Sequence, residues 1–195
     1  MRRAIDDAEA VARSRDGDLD AYAVLVARYT LRAHRAAFLL GAGEESDDVV
    51  QEAFVKAFRH LSRFRAGEPF APWLLRIVAN ETRNLTRSRR RRAALALRLS
   101  AAEPGGAAAA GPAAAGPADE VLAAERRTHL LAAVNRLPDR ERQVLVCRYF
   151  LDLSEAETAQ VLEWPLGSVK SRTFRALNRL RGLLVAGQQD GVSRG

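Results

Sequence analysis

The chain has little of what disulfide-bonded and membrane-spanning proteins need. Cys147 is the only cysteine among 195 residues, so no intrachain disulfide can form. It lies in the apolar segment VLVCRYF, where its favoured role is that of a small buried hydrophobe. No apolar run approaches the ~18 residues of a membrane helix, and the N-terminal segment lacks the apolar core of a signal peptide. We therefore expect a cytoplasmic protein without membrane insertion.

Histidine and lysine are also scarce. The three histidines, His34, His60 and His129, are scattered, and none has a metal-ligand spacing with carboxylates or with the cysteine. Phosphate-binding glycine loops and nucleophile motifs are missing too, so we expect no enzyme, no metal site and no cofactor. Only Lys56 and Lys170 are lysines, and arginine supplies nearly all of the positive charge behind the net charge of +7. That charge favours a polyanionic partner without separating DNA, RNA and an anionic membrane.

A low-complexity segment divides the chain. Residues 101–118 read AAEPGGAAAAGPAAAGPA, in which repeated Pro and Gly block a sustained helix and the side chains are too small for a core. We predict an all-α fold with two small helical domains, at residues 17–100 and 119–186, joined by this flexible linker. Fully extended, the linker could span about 60 Å. The two domains could therefore contact DNA sites more than one helical turn apart.

The C-terminal domain carries a helix-turn-helix pattern. Ser154 and Glu157 have the spacing of a capping box, which predicts that a helix begins there. Trp164-Pro165-Leu166-Gly167 then interrupts the pattern, because proline and glycine disfavour a continuous helix. We predict a second helix that is capped by Ser168 and runs to about Leu184.

The second helix has two contrasting faces. A buried stripe is predicted by three- and four-residue spacing of Val169, Thr173, Ala176, Leu177, Leu180 and Leu184. The opposite face carries Ser168, Ser171, Arg172, Arg175 and Arg179. Such a face fits the major groove, where arginine can pair bidentately with guanine and serine can contact bases or phosphates. The alternative is a basic face that is simply solvated.

The N-terminal domain is predicted to contain three helices. The first presents one apolar stripe, formed by Tyr22, Leu25, Val26, Tyr29, Ala33, Ala36 and Leu40. The second begins near Ser46, and on it Val50, Phe54, Phe58 and Leu61 are expected to face inward. A further face of this helix, with Asp48, Glu52, Val55 and Arg59, is too polar for a core. It is either solvated or a partner surface.

A loop with aromatic and arginine residues, 63–72, precedes the third helix. Phe64, Arg65 and Phe70 suit stacking on unpaired bases, where each base–aromatic contact contributes about 1–3 kcal/mol. Packing of the two phenylalanines onto the helices is an equally good interpretation. The third helix starts near Trp73, ends in a run of four arginines, and carries a polar stripe of Arg76, Asn80, Arg83, Asn84 and Arg87.

Four segments, in order, resemble the bacterial RNA polymerase sigma factors of the extracytoplasmic-function (ECF) type within the sigma-70 superfamily. They are DDVVQEAFVKAF, PWLLRIVANETRNLTRSRRRR, LPDRERQVLVCRYFLDLSEAETAQVL and GSVKSRTFRALNRLR. The resemblance runs from about Tyr22 to Leu184, excluding the linker. It departs at Glu163, where the family usually has glycine in the turn, and at the bulkier Trp164-Pro165-Leu166 that follows.

The resemblance implies a transcription initiation factor that binds core RNA polymerase, recognises −35 and −10 promoter elements and assists promoter melting. It implies that the polymerase clamp helices are bound by Asp47, Asp48, Gln51, Glu52 and Phe54. It implies that the −10 element is bound by Phe64, Arg65, Phe70, Asn80, Arg83, Asn84 and Arg87. It implies that the −35 element is bound by Ser168, Lys170, Ser171, Arg172 and Arg175, and the position of Arg179 on the basic face adds this residue to the set. The family often uses an anti-sigma factor as a further partner.

Two other functions compete with this one. A free-standing helix-turn-helix regulator would explain residues 119–186 but would leave the aromatic loop and the arginine-rich third helix without a role. An enzyme built on the N-terminal helices would need a constellation of catalytic residues that the sequence lacks.

Overall fold

The computed structural model describes residues 5–99 and 118–192, and within these ranges the chain forms helices and turns without a β-strand. The predicted all-α fold is confirmed. The predicted linker lies outside the described residues, except for Ala118. The helices are α1 (Asp7–Arg15), α2 (Leu19–Leu40), α3 (Ser46–His60), α4 (Phe70–Leu99), α5 (Ala118–Asn135), α6 (Asp139–Leu145), α7 (Glu155–Leu162) and α8 (Leu166–Val192).

Helices α1 to α4 form an N-terminal bundle. The predicted stripe of α2 is the side that packs: Leu25, Ala33 and Ala36 are buried and face the other helices. Gly41 ends α2 in a left-handed conformation with φ of +112°, which glycine adopts without steric cost. On α4, Leu74, Leu75 and Val78 complete the core.

Helix α1 lies ahead of the predicted start of this domain at residue 17. Asp6 caps it by accepting a hydrogen bond of 2.8 Å from the Glu9 backbone N–H, and Ala10 and Val11 are buried against α2. Its sequence, DAEAVARSR, has too few apolar residues to form a clear stripe. The N-terminal bundle therefore begins at Asp7, and the periodicity of the sequence did not reveal this helix.

Helices α5 to α8 form the C-terminal unit. Residues 144–147 are fully buried where α6 continues into a π-helical turn, Val146–Phe150, and they pack with Val161, Leu162 and Val169. Cys147 is buried as predicted, and its burial raises the pKa of the thiol to about 12. The fourth helix, α8, begins two residues before the predicted cap at Ser168 and extends beyond Leu184 to Val192.

The two units pack against each other through α4 and α7. Arg32 of α2 donates a hydrogen bond of 2.6 Å to the Leu151 carbonyl of the C-terminal unit. Arg90 of α4 pairs with Asp139 at the start of α6. None of the helices within residues 5–99 and 118–192 has the length and apolarity needed to cross a membrane.

Candidate nucleic-acid and polymerase interfaces

The predicted capping box fixes the start of the helix-turn-helix. The Glu157 backbone N–H donates to Ser154 Oγ at 3.1 Å, and the Ser154 backbone N–H donates to Glu157 Oε2 at 2.7 Å. Each side chain thereby satisfies a backbone donor that the helix start leaves without a partner. Hydrogen bonds from the Ser154 hydroxyl and then from the Ser154 backbone N–H lower the pKa of the Glu157 carboxyl, because they favour its charged form.

The turn between α7 and α8 shows how the chain accommodates a residue other than glycine. Glu163 adopts the left-handed conformation, with φ of +58°, and its backbone N–H donates to the Ala159 carbonyl. This conformation is one that glycine adopts freely and that costs other residues free energy. Pro165 then precedes α8, and Gly167 lies within the first turn of that helix. The predicted cap at Ser168 is therefore wrong, because the helix already includes Leu166.

Helix α8 is amphipathic in the predicted sense. Val169 and Ala176 are fully buried, whereas Lys170, Ser171, Arg175 and Arg179 are exposed. Leu177, which was predicted to be buried, is 37% exposed, and the aromatic ring of Phe174 is 68% exposed on the outer side. The sequence did not reveal this surface aromatic, because apolar periodicity identifies a buried stripe and gives no role to a single apolar residue outside it.

The basic residues of α8 differ in their intrachain contacts. Lys170 Nζ lies 3.7 Å from Glu155, and Arg179 Nε lies 3.1 Å from Glu141 on α6. The Arg172 guanidinium lies over the Trp164 ring, 5.2 Å from its centre. Arg175 Nε donates to the Ser171 carbonyl one turn back, at 3.2 Å.

The aromatic loop places its two phenylalanines in the core. Phe64 is 6% and Phe70 1% exposed, and the two rings lie 5.8 Å apart. Both also contact Trp73, at 5.1 and 5.5 Å between ring centres. In this conformation the phenylalanines pack the loop onto the helices, the alternative that the sequence had left open. The Arg65 side chain, by contrast, is 84% exposed.

The polar stripe of α4 is only partly open. Asn84 and Arg87 are exposed, whereas Asn80 and Arg83 are half-buried. Arg83 donates to Asn80 Oδ1 at 2.7 Å, and a second guanidinium nitrogen lies 3.5 Å from the Leu162 carbonyl. The same guanidinium lies 3.8 Å from the Glu163 carboxylate. The C-terminal unit thus partly covers the stripe at Arg83.

An open apolar groove of about 530 Å³ lies between α2 and α3. The Tyr22 and Phe58 rings pack in a tilted arrangement, 4.9 Å between ring centres, and the Tyr22 hydroxyl donates to the Phe54 carbonyl. Phe58 is 39% exposed, so it lines the groove and does not face the core as predicted. The remaining lining residues are Leu19, Val26, Thr30, Asp47, Val50, Gln51, Val55 and Arg59.

The five residues predicted to bind polymerase separate into two groups around this groove. Asp47, Gln51 and Phe54 line it, with Phe54 itself buried and the Asp47 side chain exposed. Asp48 and Glu52 are exposed on α3 but do not line the groove. Glu52 is paired with Lys56 one turn later, and Lys56 also pairs with Glu81 of α4.

Comparison with known proteins identifies both halves of the chain. The family described as sigma-70 region 2 matches residues 25–92, and sigma-70 region 4 matches residues 127–180. The ECF RNA polymerase sigma-E factor of Escherichia coli strain K12 is 34% identical over 183 residues, which cover 90% of this chain and 93% of that protein. The corresponding factor of Haemophilus influenzae is 30% identical over 177 residues, covering 90% and 94%.

Solved structures share the fold of this chain. CnrH in complex with the cytosolic domain of CnrY has a TM-score of 0.66 and 30% identity, over 92% of this chain and 97% of that chain. The sigma factor RpoE from Bartonella quintana, in complex with the anti-sigma factor NepR, has a TM-score of 0.61 and 24% identity. It covers 82% of this chain and 93% of its own, and at that identity it supports the fold alone. The predicted resemblance is confirmed: the chain belongs to the ECF sigma factors of RNA polymerase, which direct the polymerase to promoters.

Proposed function

We propose that this sigma factor uses three separate surfaces, one for each of its targets. The groove between α2 and α3 binds core RNA polymerase, the loop and polar stripe before and along α4 bind the −10 element, and α8 binds the −35 element. The observation that carries the proposal is the amphipathic α8. Val169 and Ala176 of this helix are buried in the core, whereas Ser171 and Arg175 are exposed. Helix α8 follows the capped helix α7 and the turn, as the second helix of the helix-turn-helix.

The −35 surface consists of polar and basic residues over about three turns near the start of α8, from Ser168 to Arg179. An α-helix fits the major groove of duplex DNA, and arginine there can donate two hydrogen bonds to one guanine. Arg175 reaches the groove without giving up a carboxylate partner among the described residues, whereas Lys170 and Arg179 first leave Glu155 and Glu141. The proposed contacts are Ser168, Lys170, Ser171, Arg172, Arg175 and Arg179.

The −10 surface combines exposed polar groups with a packed aromatic base. Trp73 lines a cavity of about 420 Å³ beside Arg63, Arg65 and Arg76. Positive charge around an aromatic ring suits single-stranded DNA, because the charge attracts the phosphate backbone and a base can stack on the ring. Arg65, Asn80, Arg83, Asn84 and Arg87 contact the melted strand, and Phe64 and Phe70 hold the loop in shape.

The polymerase surface is apolar at its centre and acidic at its edge. Exposed aromatic and aliphatic surface inside a groove is typical of a binding site for a partner helix. Phe54 supports the floor of the groove, Asp47 and Gln51 border it, and Asp48 and Glu52 extend the acidic edge.

The remaining predictions follow from this assignment. The functional domains are residues 17–100, to which the bundle adds α1, and residues 119–186. The protein acts in the cytoplasm where its polymerase is found, and it carries no catalytic residues of its own. An anti-sigma factor is a further partner. CnrH, 30% identical to this chain, was solved with the cytosolic domain of a second protein.

The test is a mixture of the purified chain with bacterial core RNA polymerase. We expect the two to co-elute and to produce defined transcript starts from a genomic DNA library, which would also give the promoter sequence. If the chain fails to co-elute and yet binds duplex DNA specifically, the free-standing regulator is the better account.

A further inference from the structure

The loop that we assign to the −10 element is held by a helix outside the segment that matches sigma-70 region 2. That match begins at residue 25, whereas α1 ends at Arg15. Arg15 Nε donates to the Leu61 carbonyl at 3.0 Å, and one of its terminal nitrogens donates to the Phe64 carbonyl. The guanidinium carbon also lies 6.0 Å from the centre of the Phe64 ring. One side chain therefore contacts the start of the loop at two carbonyls and a ring.

These carbonyls lie where the chain leaves α3. A short 3₁₀ turn, Leu61–Arg63, ends at Phe64, whose φ of −68° and ψ of +130° are extended. The Leu61 carbonyl already accepts a hydrogen bond of 3.1 Å from the Phe64 backbone N–H, so Arg15 is its second donor. A planar guanidinium carries five N–H donors in a fixed fork and can bond two carbonyls at once, whereas lysine presents a single point charge.

Helix α1 and the loop are only partly in contact. A cavity of about 340 Å³ lies between them, bordered by Val11, Arg15, Phe64, Pro69 and Phe70. Close packing therefore does not fix the loop against α1 along this border. The Arg15 guanidinium is the polar link across it.

We propose that Arg15 is a positioning residue for −10 recognition. It fixes residues 61–64 and thereby sets where the exposed Arg65 and the rest of the loop lie relative to the polar stripe of α4. This inference rests on the proposed −10 role of the loop.

The chain offers a matched control on the same helix. Arg13 donates to the Asp18 carboxylate, with Nε at 2.9 Å, and its guanidinium is exposed. Arg13→Gln removes the same charge from α1 as Arg15→Gln, but it leaves the two loop carbonyls bonded. Arg15→Lys keeps the charge at position 15 and loses the forked geometry.

The experiment compares holoenzymes made from bacterial core polymerase and four chains: wild type, Arg15→Lys, Arg15→Gln and Arg13→Gln. The DNA is a promoter mapped with the wild-type holoenzyme. Promoter opening is read from permanganate reactivity of thymines in the −10 region, and core binding and retention on the unmelted promoter are measured separately. We expect Arg15→Gln to slow opening on the order of tenfold, with Arg15→Lys between it and wild type. Core binding, retention and the Arg13→Gln control should stay at wild-type values.

A spectroscopic readout follows the loop directly. Trp73 lies 5.1 Å from Phe64, and in a Trp164→Phe background it is the only tryptophan of the chain. We expect its emission to change in Arg15→Gln and not in Arg13→Gln.

The outcomes of these measurements distinguish failure of the positioning role of Arg15 from failure of the proposed function. Wild-type opening by Arg15→Gln would overturn the positioning role, and so would equal losses in Arg15→Gln and Arg13→Gln. If Arg15→Gln does not fold, wild-type opening by Arg15→Lys would overturn it instead. Failure of the wild-type holoenzyme to open any promoter would refute the proposed function itself.

Discussion

The basic residues of α8 differ in what they must give up to reach DNA. Lys170 and Arg179 each have a carboxylate partner, and Arg172 lies on Trp164. Arg175 bonds only to the backbone of its own helix among the contacts described. Because breaking an intrachain pair offsets part of a new contact, the largest net gain on binding is expected from Arg175.

Replacing Arg175 should therefore weaken −35 binding selectively. We expect Arg175→Ala to lose about 1–3 kcal/mol of binding free energy if the side chain pairs with a base. The measurement is competition between cognate and base-substituted −35 duplexes for the holoenzyme. Arg13→Ala, which removes the same charge from the N-terminal bundle, is the control. Unchanged discrimination in Arg175→Ala would contradict the assignment.

Burial should make Cys147 unreactive in the folded chain. The side chain has no exposed surface, and its pKa is raised to about 12, so at pH ~8 almost no thiolate is present. We expect iodoacetamide at that pH to leave the folded protein unmodified and to alkylate it after denaturation. Intact-mass spectrometry measures this, and fast alkylation of the native chain would show that the core of the C-terminal unit opens.

At the scale of elements, the capping box was the strongest local signal in the sequence, and it predicted the start of α7 correctly. The capping box at Ser154 and Glu157 depends on two residues three positions apart, so it can be recognised without tertiary information. The start of α8 was misplaced because Gly167 suggested a break, whereas the chain had already turned at Glu163. Propensity gives no sign of a left-handed glutamate, since glutamate normally favours helices, and only the glycine usual at this position in the family indicates it.

The other differences arise from packing. Helix α1 is held by two small buried residues and side-chain bonds, which leave no clear periodic stripe. Phe64 and Phe70 could face DNA or the core on sequence alone, and only the positions of Tyr29 and Trp73 decide. Resemblance to the family was enough to propose which residues bind polymerase, the −10 element and the −35 element. It could not predict the intrachain contacts of those residues.

The capping box makes a prediction about pH. Hydrogen bonds from Ser154 lower the pKa of Glu157 in the folded state, so the stabilisation is present above the unfolded pKa, about 4.3, and is lost as pH falls through the lower folded pKa. Ser154→Ala should lower the free energy of unfolding by about 1 kcal/mol at neutral pH.

Urea unfolding of wild type, Ser154→Ala and Glu157→Gln near pH ~7 and near pH ~3.5 tests this. The cost of Glu157→Gln should shrink at the lower pH, because the carboxyl of the unfolded chain then carries a proton that folding must remove. A cost that stays constant with pH would mean that the carboxylate does not stabilise the helix start.

At the scale of the molecule, the two units meet over part of the surface that we propose binds the −10 element. Helix α7 packs on α4, and Glu163 pairs with the half-buried Arg83 of the polar stripe. Arg90 and Asp139 form a second ion pair between the units. Exposed pairs of this kind contribute little each and weaken with salt. If Arg83 has the proposed −10 role, single-stranded DNA reaches it fully only when Leu162 and Glu163 no longer cover it.

Reversing one charge at this contact should loosen the packing of the two units, because it replaces a weak attraction with a repulsion. Glu163→Arg places a cation beside Arg83, and we expect a longer mean distance between fluorophores attached at Ala12→Cys and Arg181→Cys, both exposed sites. Glu155→Gln, which breaks a pair within the C-terminal unit, should leave the distance unchanged. Energy transfer within the labelled chain measures it, and an unaltered distance in Glu163→Arg would mean that the ion pair does not hold the units together.

The most direct test of the account is photo-crosslinking from one exposed position in each unit of the holoenzyme on a mapped promoter. Asn84 on α4 and the exposed Phe174 on α8 are suitable positions for the photoreactive residue. The account predicts crosslinks from position 84 to the −10 element and from position 174 to the −35 element. Crosslinks from both positions to a single element, or from neither to the promoter, would contradict the division of promoter recognition between the two units.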